Sequence, residues 1–303
     1  MGTDMITSIS YSTDNGDTWA TTNNVDNKSE HLAIDVKVNE GDKVLWKGIA
    51  KQMGYYDEDD YGDIVGSFFS SDCEFDVQGN VMSLLYDDGF KGEDILEYNG
   101  QFACLFHDYD EEKECKVVNA RNLVLPATTL ATNCYQSMFA SCTSLTTAPQ
   151  LSATILAERC YASMFLGCTS LTTAPQLLAT TLAEGCYQDM FHGCTSLTTA
   201  PQLLAITLTN YCYSNMFSGC TSLTTAPQLP AKTLADNCYR SMFYGCTSLN
   251  SITCLATDIS ARECTDNWVN GVGVNGTFTK AEDMGDWQTG DNDIPNGWIV
   301  EEI

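Results

Sequence analysis

Cations are what this chain most lacks. It carries 14 Lys+Arg against 40 Asp+Glu, for a formal net charge of −26 over 303 residues. Neutralising phosphates needs a cationic face, so this balance argues against nucleic acid and against an anionic lipid surface as partners. Only three histidines occur, His31, His107 and His192, and none shares a local motif with a Ser or Cys nucleophile. The spacings GxxxxGK[ST], HExxH and GxSxG are missing, as is any CxxC pair. With them go the sequence signals for a phosphate loop, a zincin, a nucleophile elbow and a zinc ribbon. No run of 18 apolar residues exists, so no membrane-spanning helix is expected. The start, MGTDMITSIS, has no charged segment leading into an apolar one, so no signal peptide is read there. The composition points to no enzyme, no cofactor and no metal.

What the chain has in excess is repetition. CTSLTTAPQL begins at Cys142, Cys168, Cys194 and Cys220, and a worn copy, CTSLNSITCL, begins at Cys246. Between these copies stand CYQSMFASC, CYASMFLGC, CYQDMFHGC, CYSNMFSGC and CYRSMFYGC, from Cys134, Cys160, Cys186, Cys212 and Cys238. The period is 26 residues, as from Cys134 to Cys160 and again to Cys186. A degenerate unit precedes them from about Phe102 to Leu125, interrupted by DYDEEKE at 108–114. Another follows, with Cys264 in register and Trp268 in the Met place, giving about seven units. Such a period is the signature of units that cannot bury their own apolar face and must stack.

Within a unit, SLTTA has Thr-rich β character and ends at Pro, which suits a short strand. In the third unit the apolar residues Leu182, Cys186, Tyr187, Met190 and Phe191, with Ala183 beside them, recur at intervals near a helical turn. That spacing reads as one face of a short helix. Gly167, Gly193, Gly219 and Gly245 then fit helix stops. Strand plus helix per unit predicts an α/β repeat solenoid of leucine-rich-repeat type over 101–268. An acidic β-sandwich-like domain at 1–100 would precede it and a C-terminal cap at 269–303 would follow.

The pattern GCTSL…P…L…CY..MF resembles the BspA-type leucine-rich repeats of surface proteins from gut and oral bacteria and of their phages. The resemblance covers roughly residues 102–268. It departs from the commoner form, whose units are shorter and read AF in place of MF. It implies a non-enzymatic interaction or adhesion module at a cell surface, binding host protein or glycan. A phage or prophage virion protein touching the bacterial surface is the alternative.

The 15 cysteines mostly fall twice per unit, at alternating gaps of 8 and 18. Two readings stand: buried reduced thiols stacked in ladders, or disulfides between neighbouring units. A catalytic thiol is a poor fit, because a nucleophile is used once and these are copied many times.

Charge is unevenly spread. Residues 1–115 hold 26 acids against 7 bases, 116–260 hold 5 against 5, and 261–303 hold 9 against 2. In the acidic head, HLAIDVKV alternates Leu32, Ile34, Val36 and Val38, while KVLWKGIA and CEFDVQGNVMSLL read as further strands. SYSTDNGDTWA places Ser12, Asp14, Gly16, Thr18 and Trp19 in the order S-x-D-x-G-x-T-W, which looks like the Asp-box of sialidases. One copy, with four arginines in the whole chain, reads as a hairpin device rather than an active site. Asp57, Asp59 and Asp60 lack the spacing of a calcium loop and read as solvated.

Fixed positions among the units are architectural, and varying ones face solvent or a partner. The freest row is Ala140, Leu166, His192, Ser218 and Tyr244. The next is Asn133, Arg159, Gly185, Tyr211 and Asn237. Candidate partner contacts are the first row together with Arg159 and Tyr211. An invariant polar row, the Thr pairs at 146–147, 172–173, 198–199 and 224–225, reads as a soluble strand face.

Overall fold

A computed structural model describes residues 6–25, 34–51, 53–56, 64–107, 115–285 and 287–303. His31, Leu32, Asp57, Asp59, Asp60 and the segment 108–114 lie outside the described residues.

Strands dominate the regular structure. Strands β1 (Ile6–Ser12), β2 (Ala20–Val25) and β3 (Leu45–Ala50) form an antiparallel sheet with order β2-β1-β3. Strands β4 (Gly54–Tyr56) and β5 (Ile64–Gly66) form an antiparallel pair. Then come β6 (Phe75–Asn80), a one-turn helix α1 (Ser83–Tyr86), β7 (Val117–Leu125) and β8 (Gln150–Leu151). Strands β6, β7 and β8 pair in parallel. The last sheet is also parallel, with β10 (Thr277–Lys280) between β9 (Ser251–Cys254) and β11 (Ile299–Glu302).

The α/β repeat solenoid expected from the sequence is therefore corrected. Among the described residues α1 is the sole α-helix, four residues long, and it lies outside the repeats. Among the described residues no unit has the strand-plus-helix build of a leucine-rich repeat. SLTTA also falls short of a strand, giving isolated parallel bridges such as Thr173↔Thr199 and Thr225↔Ser251.

The reason lies in the period. Apolar pairs recur every four residues: Leu182–Ala183, Cys186–Tyr187, Met190–Phe191. At 100° per residue a helix would carry a four-residue repeat round by about 120° between Leu182 and Cys194, so the stripe would leave the core. The second residue of each intervening polar pair instead has positive φ: Gly185 at 57°, Asp189 at 54°, Gly193 at 72°. Gly, Asn, Asp and Ser fill most such positions, and of these Gly, Asn and Asp tolerate the left-handed region best. Each four-residue step thus closes a turn. Even-numbered amides bond backwards, with Cys186 N–H donating to the Ala183 carbonyl and Met190 N–H to that of Tyr187, both at 3.3 Å. Odd-numbered amides bond to the next unit: Tyr187 N–H donates to Cys212 O at 3.1 Å, Phe191 N–H to Met216 O at 3.0 Å. The backbone's polar groups are satisfied half within a unit and half between units.

That ladder stacks like side chains on like. Tyr161, Tyr187 and Tyr213 lie with ring centroids 5.9 Å apart, and Phe165, Phe191 and Phe217 with centroids 5.7 Å apart, all within 9° of parallel. Such pairs contribute ~0.5–1.5 kcal/mol each beyond their buried area. Trp268 ends the tyrosine column, stacking on Tyr239 and Trp287 while its Nε1–H donates to the Asp293 carbonyl at 2.8 Å. Residues beyond 268 thereby cover the last unit. The apolar core runs without a break from Ile6 to Trp298, across the boundary expected near residue 100.

The head differs from its expectation in two ways. The described part of HLAIDVKV, 34–38, belongs to no strand, with Ile34 and Val36 half-buried and Val38 exposed. Strand β6 pairs with β7 rather than with the head's own strands, so no two-sheet sandwich forms among the described residues. No helix in these residues is long and apolar enough to cross a membrane.

Both readings of the cysteines find a place. Cys115 and Cys142 form a disulfide, with Cα atoms 4.6 Å apart. The remaining thirteen are free thiols, and all but Cys73 are buried. Cys168, Cys194 and Cys220 each donate S–H to a phenylalanine carbonyl of the preceding unit at 3.1 Å. Burial pushes the Cys194 and Cys246 thiols up to about 12, which keeps them protonated and inert.

Candidate interaction surface

The turn ladder decides where the varying residues point. In the first row, Tyr244 is 49 % exposed and His192 and Leu166 are half-buried. Ala140 and Ser218 are buried, at 1 % and 5 %, so these two are corrected: they do not present side chains to a partner. What the row shares is its backbone. The carbonyls of Leu166, His192 and Ser218 each accept an N–H of the preceding unit at 2.7 Å, whatever the side chain. Variation there marks an indifferent position rather than a uniformly wet one. His192 Nδ1 lies 3.3 Å from Asp189 Oδ1 inside its own turn.

In the second row, Asn133 and Asn237 are buried. Arg159 is exposed and Tyr211 half-buried. Both hold positive φ, 49° and 57°, in a region that bulky side chains rarely adopt. Arg159 lies across the place a side chain at Gly185 would take, its Cγ 3.1 Å from a Cβ built there, and its Nε is 4.0 Å from Glu158 Oε1. Exposed Tyr244 and Arg159 and half-buried His192, Leu166 and Tyr211 are thus held on the hydrogen-bonded backbone of the stack.

A second surface was not read from the sequence. After each Thr pair the chain runs extended with alternating burial: Gln176, Leu178 and Thr180 face out, Leu177 and Ala179 face in. Equivalent residues of successive units line up as columns. One is Gln150, Gln176, Gln202 and Gln228. Another is Pro126, Ser152, Leu178, Leu204 and Pro230. A third is Thr128, Thr154, Thr180, Ile206 and Lys232. Leu178, Leu204 and Ile206 are 48 %, 45 % and 70 % exposed. Along these columns Lys232 is the one charge, and Asp94, whose carbonyl accepts the Thr128 N–H at 2.8 Å, continues the third column at its other end. Neither Asp94 nor Lys232 enters an ion pair among the described residues. The alternation is legible in PQLLAT and PQLLAI, where outward Gln, Leu and Thr or Ile flank inward Leu and Ala. The Thr pairs beside these columns are largely exposed, and hydroxyls such as those of Thr146 and Thr198 donate to carbonyls of the preceding unit at 3.0 and 3.2 Å.

The head's S-x-D-x-G-x-T-W stretch builds the β1–β2 turn. Asp14 Oδ1 accepts from Ser12 Oγ at 2.7 Å and from Thr18 N–H at 2.9 Å, and its Oδ2 accepts from Thr18 Oγ1 at 2.6 Å. These bonds, the Thr18 hydroxyl first, hold the Asp14 carboxyl down at about 2. Gly16 supplies a φ of 94°, and Trp19 Nε1–H donates to its carbonyl. Lys47 sits 4.5 Å above the Trp19 ring and bonds Asp87 and Asp88 at 2.8 and 2.7 Å. The Asp14 carboxylate, the Ser12 and Thr18 hydroxyls and the Trp19 Nε1–H are thus all engaged within this turn.

Near the C-terminal end a shallow open recess of about 240 Å³ is bordered by Glu263, Cys264, Asp266 and Asn292. Arg240 lies against the same two acids, 3.1 Å from Glu263 and 3.7 Å from Asp266. GVGVNG at 271–276 has glycine spacing that elsewhere cradles phosphates, but strand β10 follows it and no helix does. A Cβ at Gly273 would meet the Leu249 carbonyl at 2.5 Å and one at Gly276 the Asn250 carbonyl at 2.5 Å, so these glycines serve close packing. No group of three or more His, Cys, Asp or Glu able to hold a metal occurs among the described residues.

No protein-family model, curated protein sequence or solved structure matches the chain.

Proposed function

We propose that this protein is a non-enzymatic interaction module that adheres at a bacterial cell surface, with a host protein or glycan as its partner. One observation carries the reading: a stack whose interior is copied from unit to unit holds outward side chains that are not copied. Core positions repeat Cys, Tyr, Met and Phe at near-zero exposure, while Leu166, His192 and Tyr244, and Arg159 and Tyr211, differ from unit to unit on the outside. A rigid frame with a varying outer row is how repeat proteins separate stability from recognition. The likeness of the GCTSL…CY..MF unit to repeats of bacterial surface proteins supports the location, and the acidic head and tail disfavour anionic partners.

The test is binding of fluorescently labelled protein to two panels: host matrix proteins and mucin, and intact gut bacteria with their capsular glycans. Binding to host material that weakens at least fivefold in Tyr244→Ala with Tyr211→Ala supports the reading. Binding to bacteria alone favours a virion protein. Silence on both panels removes the adhesion reading.

A further inference from the structure

We propose that strand β11 is a docking edge, and that it takes up an extended, basic and apolar segment of another protein as one more strand of the last sheet. This goes beyond the adhesive rows and does not depend on them. Sheet geometry comes first. Strand β11 stands at the end of the order β11-β10-β9. Ile299 N–H donates to the Gly276 carbonyl at 2.9 Å and Ile303 N–H to the Lys280 carbonyl at 3.0 Å, so odd-numbered peptide groups of β11 face β10. Alternation along a strand turns the peptide groups of Val300 and Glu302 the other way. No strand pairs with them there among the described residues. Such an edge is a template for a further strand, and main-chain bonds supply affinity when an extended peptide adds to it.

Side chains show that the sheet stops short. Ile252, Phe278 and Val300 are register partners and form one column. The first two are buried, at 1 % and 0 %, while Val300 is 43 % exposed. A core column therefore runs out into the open at β11. On the strand's other face Ile299 and Ile303 are 67 % and 63 % exposed. A strand with an apolar residue beside Val300 continues the column. The edge of β2 offers nothing similar, since its described side chains are Ala20, Thr21, Thr22 and Asn23.

Charge selects the occupant. Glu301 and Glu302 are exposed at the middle of the edge. Glu282, also exposed, sits at its end and donates its N–H to the Ile303 carbonyl at 3.1 Å. Glu302 is held by Lys280 at 2.6 Å, and Glu301 enters no ion pair among the described residues. Residues 261–303 carry 9 acids against 2 bases, so little else offsets this charge. A second copy pairing along β11 would bring four acids together, and an acidic strand would be repelled in the same way. A strand with bases at the level of Glu301 and Glu302 is attracted instead. The occupant reads apolar-base-base-apolar, with the apolar positions beside Val300 and Ile303.

The probe is a fluorescently labelled, end-blocked hexapeptide, Thr-Val-Lys-Lys-Val-Thr, titrated with the full chain and followed by anisotropy. Its sequence is the same in either direction, so parallel and antiparallel addition give the same side-chain matches. Saturable binding with a dissociation constant below about 1 mM is expected. Val300→Pro removes an outward N–H and no bond to β10, a place where an edge strand tolerates proline. It should abolish binding while shifting the melting temperature by no more than a degree or two. Glu301→Lys should weaken binding roughly fivefold, as for an exposed pair turned repulsive. The same variant should bind Thr-Val-Glu-Glu-Val-Thr, which the wild type does not. That gain is the decisive readout, because a misfolded variant would acquire no new partner. Thr-Pro-Lys-Lys-Pro-Thr keeps the charge but lacks two donors and should not bind. No binding of the lysine peptide, equal binding of its proline form, or full binding to Val300→Pro overturns the proposal.

Discussion

If units are built from four-residue turns, the order of stability at Ser163 inverts relative to a helix. Ser163 has φ of 54°, donates its N–H to the Gln188 carbonyl at 2.8 Å and accepts from Leu166 N–H at 3.0 Å. Both backbone bonds survive replacement by Ala or Gly. A non-glycine residue in the left-handed region costs ~1–2 kcal/mol, and glycine gives back ~0.4–1 kcal/mol through its freer unfolded chain. Ser163→Gly is therefore expected to be more stable than Ser163→Ala by roughly 1 kcal/mol. In a helix interior the same pair would differ by roughly 1 kcal/mol in the opposite sense, because Ala is the best helix former and Gly among the worst. The two structures are thus about 2 kcal/mol apart on one comparison. Denaturant unfolding followed by tryptophan fluorescence gives both midpoints, and an unchanged slope licenses reading them as stability. An alanine variant more stable than the glycine variant would refute the turn assignment.

Three further outcomes are expected. The Tyr161 hydroxyl is buried without a hydrogen-bond partner, so Tyr161→Phe should raise stability by about 1 kcal/mol; a loss in thermal unfolding would mean that the hydroxyl is satisfied after all. Alkylation at pH 8 should label Cys73 alone in the native state, thirteen thiols after denaturation without reductant and all 15 cysteines after reduction; fast native labelling of Cys194 would contradict the buried ladder. Asp14 has a folded pKa lowered to about 2 from 3.8, so its contribution is present above 3.8 and is lost as pH falls through about 2. Wild type and Asp14→Asn should accordingly differ in melting temperature at pH 6 and converge near pH 2, and a difference that persists at pH 2 would assign the effect to something other than the carboxylate.

The repeat, its length and its core residues were legible because stacking demands identical side chains at identical places. Cys186, Tyr187, Met190 and Phe191 announce a buried stripe by recurrence alone. The conformation that buries them was misread, since apolar pairs spaced four apart satisfy a helix template over one or two turns. The missed signal was the alternation of apolar and polar pairs with Gly, Asn, Asp or Ser second in most of the polar pairs. Variation between units was a fair guide to exposure at Tyr244 and Arg159 and a poor one at Ala140 and Ser218. There the backbone makes the contact, so several side chains are tolerated in a buried place.

The sequence by itself determined that the repeated units stack, which residues fill the interior, that Trp268 ends the series, and that Asp14 organises a hairpin. These follow from local chemistry and from repetition. Tertiary structure alone decided what recurrence cannot show. Every second amide of the turn ladder reaches into the following unit, one disulfide joins Cys115 to Cys142 while the other buried thiols stay free, and Gln176, Leu178 and Thr180 form part of a continuous outward face. Each depends on which unit lies against which, a relation between distant segments that a one-dimensional pattern does not contain.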